Sequence, residues 1–218
     1  MIKAEGIKKS YENLEVLKGI DLEIKKSEIV SIVGASGAGK STLLHILGSL
    51  DQADSGKVWI DNTEISKLKQ KKLAEFRNHK IGFVFQSHHL LPEFSAIENI
   101  MMPAWIARQS KSQAYSKAIE LLSIMNLENR KDHRPSELSG GEQQRVAVCR
   151  SLVNNPAVIF ADEPSGNLDS QSAQLLHNLF FDLRDKFGQT FVIVTHNNEL
   201  AGMADRKLVM RDGSLLDS

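Results

Sequence analysis

Gly34-Ala35-Ser36-Gly37-Ala38-Gly39-Lys40-Ser41, followed by Thr42, carries the plainest chemistry in the chain. It fits the pattern G-x-x-x-x-G-K-[ST]. The glycines let backbone N–H groups close on phosphate oxygens without side-chain obstruction. A helix starting here adds a field that favours an anion. At this spacing Lys40 reaches the β- and γ-phosphates of a nucleoside triphosphate, and the Ser41 hydroxyl is placed to bind Mg²⁺. A second feature is Val158-Ile-Phe-Ala-Asp162, an apolar run that ends in a carboxylate. In an enzyme with this phosphate loop, that is where the Mg²⁺-associated Asp belongs. Glu163 comes next and could orient and polarise an attacking water. Many surface strands end in acidic residues, so this feature gains weight only from its company.

A third feature supplies that company. Leu138-Ser139-Gly140-Gly141-Glu142-Gln143 precedes a helical pattern with Val146, Cys149 and Val153 on one side. It is a second helix start able to receive phosphate, with the Ser139 hydroxyl at the N-cap. Taken alone it is equally well a capped helix and nothing more.

These residues need elements to hold them. Ile29–Val33 is a short, mostly β-branched run, the pattern of a strand buried on both faces, and it stops at Gly34. Leu43, Leu44, Ile46 and Leu47 follow at helical spacing, with Gly48 as the expected C-cap. The first sixty or so residues otherwise read as mostly strand. Strands are expected at Ile81–Phe85, Val158–Ala161 and Phe191–Val194. A helix is expected from about Ser172 to Phe187, and a hairpin around Asp212-Gly213. Between 95 and 150 helical patterns dominate, with Ala118, Leu121, Leu122 and Met125 on one face of a helix over 112–125. Strands alternating with helices predict a mostly parallel α/β sheet. The helical stretch predicts an inserted subdomain.

Composition bounds the rest. The chain has 218 residues, with 27 basic side chains balancing 27 acidic ones, which points to neither nucleic acid nor an anionic membrane surface. One cysteine, Cys149, forms no intramolecular disulfide and suits a reducing compartment. Met1-Ile-Lys-Ala-Glu-Gly lacks the apolar core of a signal peptide. No apolar run approaches the roughly 18 residues of a membrane span, so any membrane role is expected to be peripheral.

The phosphate loop, Leu138-Ser-Gly-Gly-Glu-Gln143, Asp162-Glu163 and Thr195-His196, in this order, resemble the ABC ATPase superfamily over nearly the whole chain. The resemblance implies a P-loop ABC cassette: an α/β core with a mostly parallel sheet, an N-terminal antiparallel β layer and an inserted helical subdomain. One nucleotide-binding domain would span 1–218, with its core and β layer near 1–86 and 151–218 and the helical subdomain near 87–150. It implies ATP as ligand, Mg²⁺ as cofactor and ATP hydrolysis as activity. Tyr11 matches the aromatic that stacks on adenine, and Gly34 to Thr42 match the phosphate loop. Gln86 matches the glutamine that contacts Mg²⁺ or the attacking water. Ser139 and Gly141 match the signature positions that bind the γ-phosphate held by another subunit. Asp162 matches the Mg²⁺-associated aspartate and Glu163 the base. Ser165-Gly-Asn-Leu-Asp169 matches the D-loop, and His196 the switch histidine.

Two chains set head to tail would form a homodimer around ATP and separate after hydrolysis. Integral membrane permease subunits would be the other partners, with the ATPase at the cytoplasmic face of the inner membrane. Phe85-Gln-Ser-His-His-Leu-Leu-Pro-Glu-Phe-Ser-Ala-Ile-Glu-Asn99 and His133-Arg-Pro-Ser-Glu-Leu-Ser-Gly-Gly141 resemble the lipoprotein-releasing branch, the LolD type. Ala161-Asp-Glu-Pro-Ser-Gly-Asn-Leu-Asp169 does too, although its Gly-Asn pair is shared with macrolide exporters. An exporter or a cell-division complex is the alternative in the same class. A soluble ABC ATPase acting on DNA or ribosomes is the rival from another class. Such proteins usually carry a long coiled coil, zinc-binding cysteines or two cassettes, and this sequence has none of these. A regulator that binds nucleotide without hydrolysis is disfavoured by Glu163 and His196.

Asn197 stands where the family often has Asp, and Cys149 where a small residue is usual. His88-His89 lacks the Cys or carboxylate company of a metal site. Lys67, Lys69, Lys71, Lys72, Arg77 and Lys80 read as a solvated helix face. Side chains around Leu90 to Phe94, with Glu93 at the rim, are expected to line an apolar groove for a short helix of a membrane subunit.

Overall fold

In the computed structural model, which describes residues 1–216, the expected alternation resolves into two sheets. Strands β1 (Ile2–Tyr11), β2 (Leu14–Ile24), β4 (Ser55–Ile60) and β5 (Thr63–Glu64) form an antiparallel layer in the order β2-β1-β4-β5. Buried residues alternate with exposed ones along β2, where Leu17, Ile20, Leu22 and Ile24 are buried. One face is therefore core and the other solvent. The second sheet holds β3 (Ile29–Val33), β6 (Ile81–Phe85), β7 (Val158–Asp162), β8 (Thr190–Val194), β9 (Arg206–Arg211) and β10 (Ser214–Leu216). Its order is β10-β9-β3-β8-β7-β6, parallel except for the β9–β10 hairpin. Asp212 and Gly213 turn that hairpin with φ of 47° and 82°, the left-handed pair that a tight two-residue turn demands.

The central strands are buried on both faces. On β7, Val158 and Phe160 face one cluster and Ile159 and Ala161 the other; on β8, Val192 and Val194 oppose Phe191 and Ile193. The first cluster is closed by the antiparallel layer and α1 (Lys40–Leu47). The second is closed by α3 (Ala96–Ile106), α4 (Lys111–Ile124), α5 (Gly140–Leu152) and α6 (Ser170–Phe187). Cys149 is fully buried there, with its thiol donating to the Leu121 carbonyl at 3.5 Å and its pKa pushed up by desolvation. Phe180 on α6 meets Phe191 on β8 with ring centroids 4.9 Å apart, both fully buried. Phe180→Ala should cost about 3–5 kcal/mol of stability, measured by urea unfolding. A cost under about 1 kcal/mol would mean that α6 does not close this face.

Element ends follow local chemistry. The helix expected over 112–125 runs Lys111–Ile124, because Ser110 and Gln113 form a capping box. The helix expected from about Ser172 starts at Ser170, because the Asp169 carboxylate accepts from the Ser172 N–H at 2.9 Å. Gly48 ends α1 but is not left-handed; Ser49, with φ of 61°, takes that conformation. Gly48 is small because a Cβ there would lie 2.2 Å from Phe83 Cζ. Of the lysine-rich stretch, Lys71, Lys72, Arg77 and Lys80 lie on α2 (Gln70–Lys80), which buries no residue, and Lys67 and Lys69 precede it. No helix among the described residues is long and apolar enough to cross a membrane.

Candidate functional site

Helices α3, α4, α5, α6 and α7 (Asn198–Met203) each begin with a side-chain cap. α1 does not. Its N-cap is Gly39, no side chain bonds its first turn, and that turn holds no acidic residue. Its first-turn N–H groups therefore lack a side-chain acceptor, and they follow directly on the loop after β3, where Gly37 and Gly39 have φ of 78° and 99°. Lys40 is 6% exposed and pairs with no carboxylate among the described residues; its Nζ donates to the carbonyls of Gly34 and Ala35, both at 2.9 Å. A buried cation without an anion, beside an uncapped helix start, is the complement of a phosphate chain.

The neighbouring strands end at the same place. Ser41 Oγ donates to Asp162 Oδ1 at 3.0 Å, at the end of β7. A hydroxyl and a carboxylate oxygen in contact are the hard donors that a small divalent cation takes, so these residues fit Mg²⁺. His45, one turn along α1 from Ser41, brings Nε2 to 3.5 Å from Asp162 Oδ2. Sequence reasoning passed over His45, although its spacing from Ser41 puts both on one helix face. Glu163 has φ of 46°, an uncommon conformation for a long side chain, held by its own N–H donating to Val194 O at 2.9 Å. The His196 N–H donates to Glu163 Oε2 at 3.1 Å, and His196 Nε2 lies 3.2 Å from Glu163 Oε1. Asn197 caps α7 by accepting from the Leu200 N–H at 2.9 Å. Asn and Asp serve that role equally, which accounts for the departure there.

The remaining expected residues lie around this cluster. Tyr11 ends β1 and is 47% exposed, with its hydroxyl donating to Asp51 Oδ2 at 2.5 Å and Lys9 Nζ 5.0 Å from the ring centroid. The bond to Asp51, with burial, holds the Tyr11 phenol above its ordinary pKa. Ser139 caps α5 in a capping box with Glu142, so its hydroxyl is engaged by the helix it starts. A Cβ on Gly141 would lie 2.8 Å from Ser172 Oγ, which keeps that position small. Among the described residues no hydrogen bond or ion pair joins Ser139–Gly141 to the phosphate loop. The two segments start different helices, Ser139 capping α5 and Gly39 preceding α1. Gln86 donates through its carboxamide Nε2 to Asn167 Oδ1 at 2.8 Å.

In the segment after Gln86 the main chain is anchored by side chains of two helices. His88 and His89 adopt left-handed φ of 30° and 50°, and their carbonyls accept from Arg150 at 2.8 and 2.6 Å. Leu90 packs on the helical core, and Phe94 is half-buried. The Leu91 main chain is pinned on both sides by the buried Asn99 at 2.8 and 3.1 Å, which leaves its side chain 38% exposed. The apolar cleft at this seam, about 340 Å³, is lined by Phe83, Phe85, Pro103 and Ile106, with Arg77 and Arg150 at its polar side.

The ABC transporter family model matches residues 17–166. The lipoprotein-releasing system ATP-binding protein LolD of Bacteroides thetaiotaomicron is 61% identical over 215 residues, covering 99% of each chain. That of Bacteroides fragilis is 59% identical over 216 residues, covering 99% of this chain and all of the relative. Among solved structures, the dimeric post-hydrolysis state of the ATP-binding cassette MJ0796 bound to ADP and Pi superposes with a TM-score of 0.91 at 39% identity, covering 100% of this chain and 97% of that one. The uncapped helix start beside Lys40, the carboxylate pair at the end of β7 and these matches agree: the chain belongs to the ABC transporter family, as an ATP-binding and ATP-hydrolysing subunit of the LolD type.

Proposed function

We propose that this chain drives the release of lipoproteins from the inner membrane towards the outer membrane, working as a homodimer beneath integral membrane permease subunits. The observation that carries the chemistry is the convergence of Lys40, Ser41, Asp162, Glu163 and His196 at one end of the parallel sheet. The 61% identity to a lipoprotein-releasing ATPase supports the cargo class over a macrolide-exporter or cell-division role. The whole chain acts as one nucleotide-binding unit, with 87–150 as its helical subdomain.

Gly34 to Thr42 bind the phosphates through backbone N–H groups, and Lys40 neutralises the β- and γ-phosphates. Tyr11 offers its ring to the adenine. Ser41, Asp162 and Gln86 hold Mg²⁺, which supplies charge neutralisation on the phosphates when bound. Glu163 takes the proton of the water that attacks the γ-phosphorus, as the bond from that phosphorus to the bridging oxygen of ADP breaks. His196 holds the Glu163 carboxylate in position. Ser139 and Gly141 meet the γ-phosphate of ATP bound to the other copy, for which the Ser139 hydroxyl leaves its capping bond. ATP then joins the two copies, and its cleavage separates them; without nucleotide the chain is largely monomeric. The chain sits peripherally at the cytoplasmic face of the inner membrane.

The permease contact falls in the cleft between Phe83, Phe85, Pro103 and Ile106, which a short cytoplasmic helix can enter with a few apolar anchors. Ile106 is 66% exposed and takes no part in the nucleotide site. Ile106→Glu should leave folding and basal ATPase activity unchanged and weaken capture of membrane subunits from detergent extracts by at least about tenfold. Capture at full strength by the folded variant would place the docking elsewhere. Identification of the captured subunits and of the lipoproteins they carry tests the cargo.

A further inference from the structure

The segment that begins at Gln86 and the loop Ser165–Asp169 are remote in sequence and lie side by side in the fold. Gln86 Nε2 donates to Asn167 Oδ1 at 2.8 Å, and Asn167 Nδ2 donates to the Gln86 main-chain oxygen at 3.3 Å. The Gln86 carboxamide makes no other hydrogen bond among the described residues. Between the two lies Gly166. A Cβ there would sit 2.7 Å from Gln86 Nε2 and 3.0 Å from its Cδ. Gly166 has no left-handed φ to satisfy, so its smallness serves the Gln86 carboxamide rather than a turn.

Beneath this exposed clasp the same two loops are tied by buried groups. Gln144 of α5, fully buried, donates through Nε2 to Phe85 O at 3.1 Å and to Pro164 O at 2.6 Å. Those carbonyls directly precede Gln86 and Ser165. His177 of α6, also buried, brings Nε2 to 3.0 Å from Ser165 Oγ. The main chain at the start of both segments is thus fixed from the core, and the exposed carboxamide pair is the part that can open while the fold stays closed.

We propose that Asn167 is a positioning residue that holds Gln86 in reserve, so that Mg-ATP and the Asn167 side chain compete for one carboxamide. The proposal rests on the reading of Gln86 as a group that turns to bound Mg-ATP. For that turn Gln86 must leave Asn167, and Asn167 is then free on the loop that follows the catalytic carboxylates. Nucleotide binding at one surface thereby changes the donors and acceptors presented by the D-loop. An exposed bond between neutral side chains has a modest net strength, which suits a contact made and broken in each cycle.

The test measures Mg-ATP affinity by titrating a fluorescent ATP analogue with the full chain carrying Glu163→Gln, at protein concentrations well below those at which its ATP-bound dimer is expected, with light scattering confirming a monomer. Asn167→Ala removes the clasp. Gly166→Ala expels the Gln86 carboxamide from the same place without touching Asn167. Each should tighten Mg-ATP binding ~5-fold, the scale of one ordinary hydrogen bond. Asn167→Ala should change nothing when Gln86→Ala is already present, because its effect runs through Gln86. Unchanged or weakened binding in folded Asn167→Ala and Gly166→Ala chains overturns the proposal, as does the same gain in the absence of Gln86. The reading of Gln86 is tested separately by adding Gln86→Ala to the Asn167→Ala chain, which should weaken binding. If it does weaken binding while Asn167→Ala alone brought no gain, Gln86 keeps its role and the clasp is discarded. If it does not, the role of Gln86 fails and the competition fails with it.

Discussion

Glu163→Gln is expected to slow ATP turnover by about 10²- to 10⁴-fold, the usual contribution of a positioned general base. The substitution keeps the length and hydrogen-bonding reach of the side chain and removes the charge that attracts the water proton. The main-chain conformation should persist, because φ of 46° at this residue is held by the bond from its N–H to Val194 O rather than by the carboxylate. An amide oxygen can still accept from the His196 N–H, which now donates to Oε2 at 3.1 Å. ATP therefore still binds and is not cleaved. The chain should accumulate as an ATP-bound dimer, seen by light scattering with Mg-ATP and absent without it. Two results count against the assignment: near-normal turnover, or a monomer in Mg-ATP at protein concentrations on the order of tens of micromolar.

Lys40→Ala removes the buried cation over the phosphate loop. Among the described residues its ammonium is satisfied only by the carbonyls of Gly34 and Ala35, so the loop loses two hydrogen bonds and no ion pair. Folding should survive, with thermal unfolding close to that of the wild-type chain. ATP affinity should fall about ten- to a hundredfold, the scale of losing charge-assisted hydrogen bonds to an anion, and turnover should fall to background. Wild-type-like turnover in the folded variant would sink the phosphate-loop assignment. Glu163→Gln and Lys40→Ala thus separate two failures: the first binds ATP and does not cleave it, and the second binds poorly from the start.

What the sequence by itself determined is what local rules write into neighbouring residues. The glycines and lysine between Gly34 and Ser41 are adjacent, so the phosphate loop is legible from spacing alone. The apolar runs Ile29–Val33, Val158–Ala161 and Phe191–Val194 announce strands covered on both faces, and they are the three central neighbours of the parallel sheet. Ser139 is a cap for the reason any serine before a helical pattern is one, and Asp212-Gly213 turns its hairpin by its own backbone preference.

What only the tertiary structure decided involves pairs remote along the chain. Ser41 meets Asp162 because β3 and β7 flank β8 in one sheet, and His45 joins them because α1 presents it on the same face. Gln86 faces Asn167 because β6 pairs with β7, which sets the two following loops side by side. The apolar cleft joins Phe83 of β6 to Pro103 and Ile106 of α3, residues that only the packing of that helix beside that strand brings together. Hydrophobic patterning says which face of an element is buried. Which two loops then meet at the sheet edge depends on strand order, and strand order is settled by packing among elements far apart in sequence.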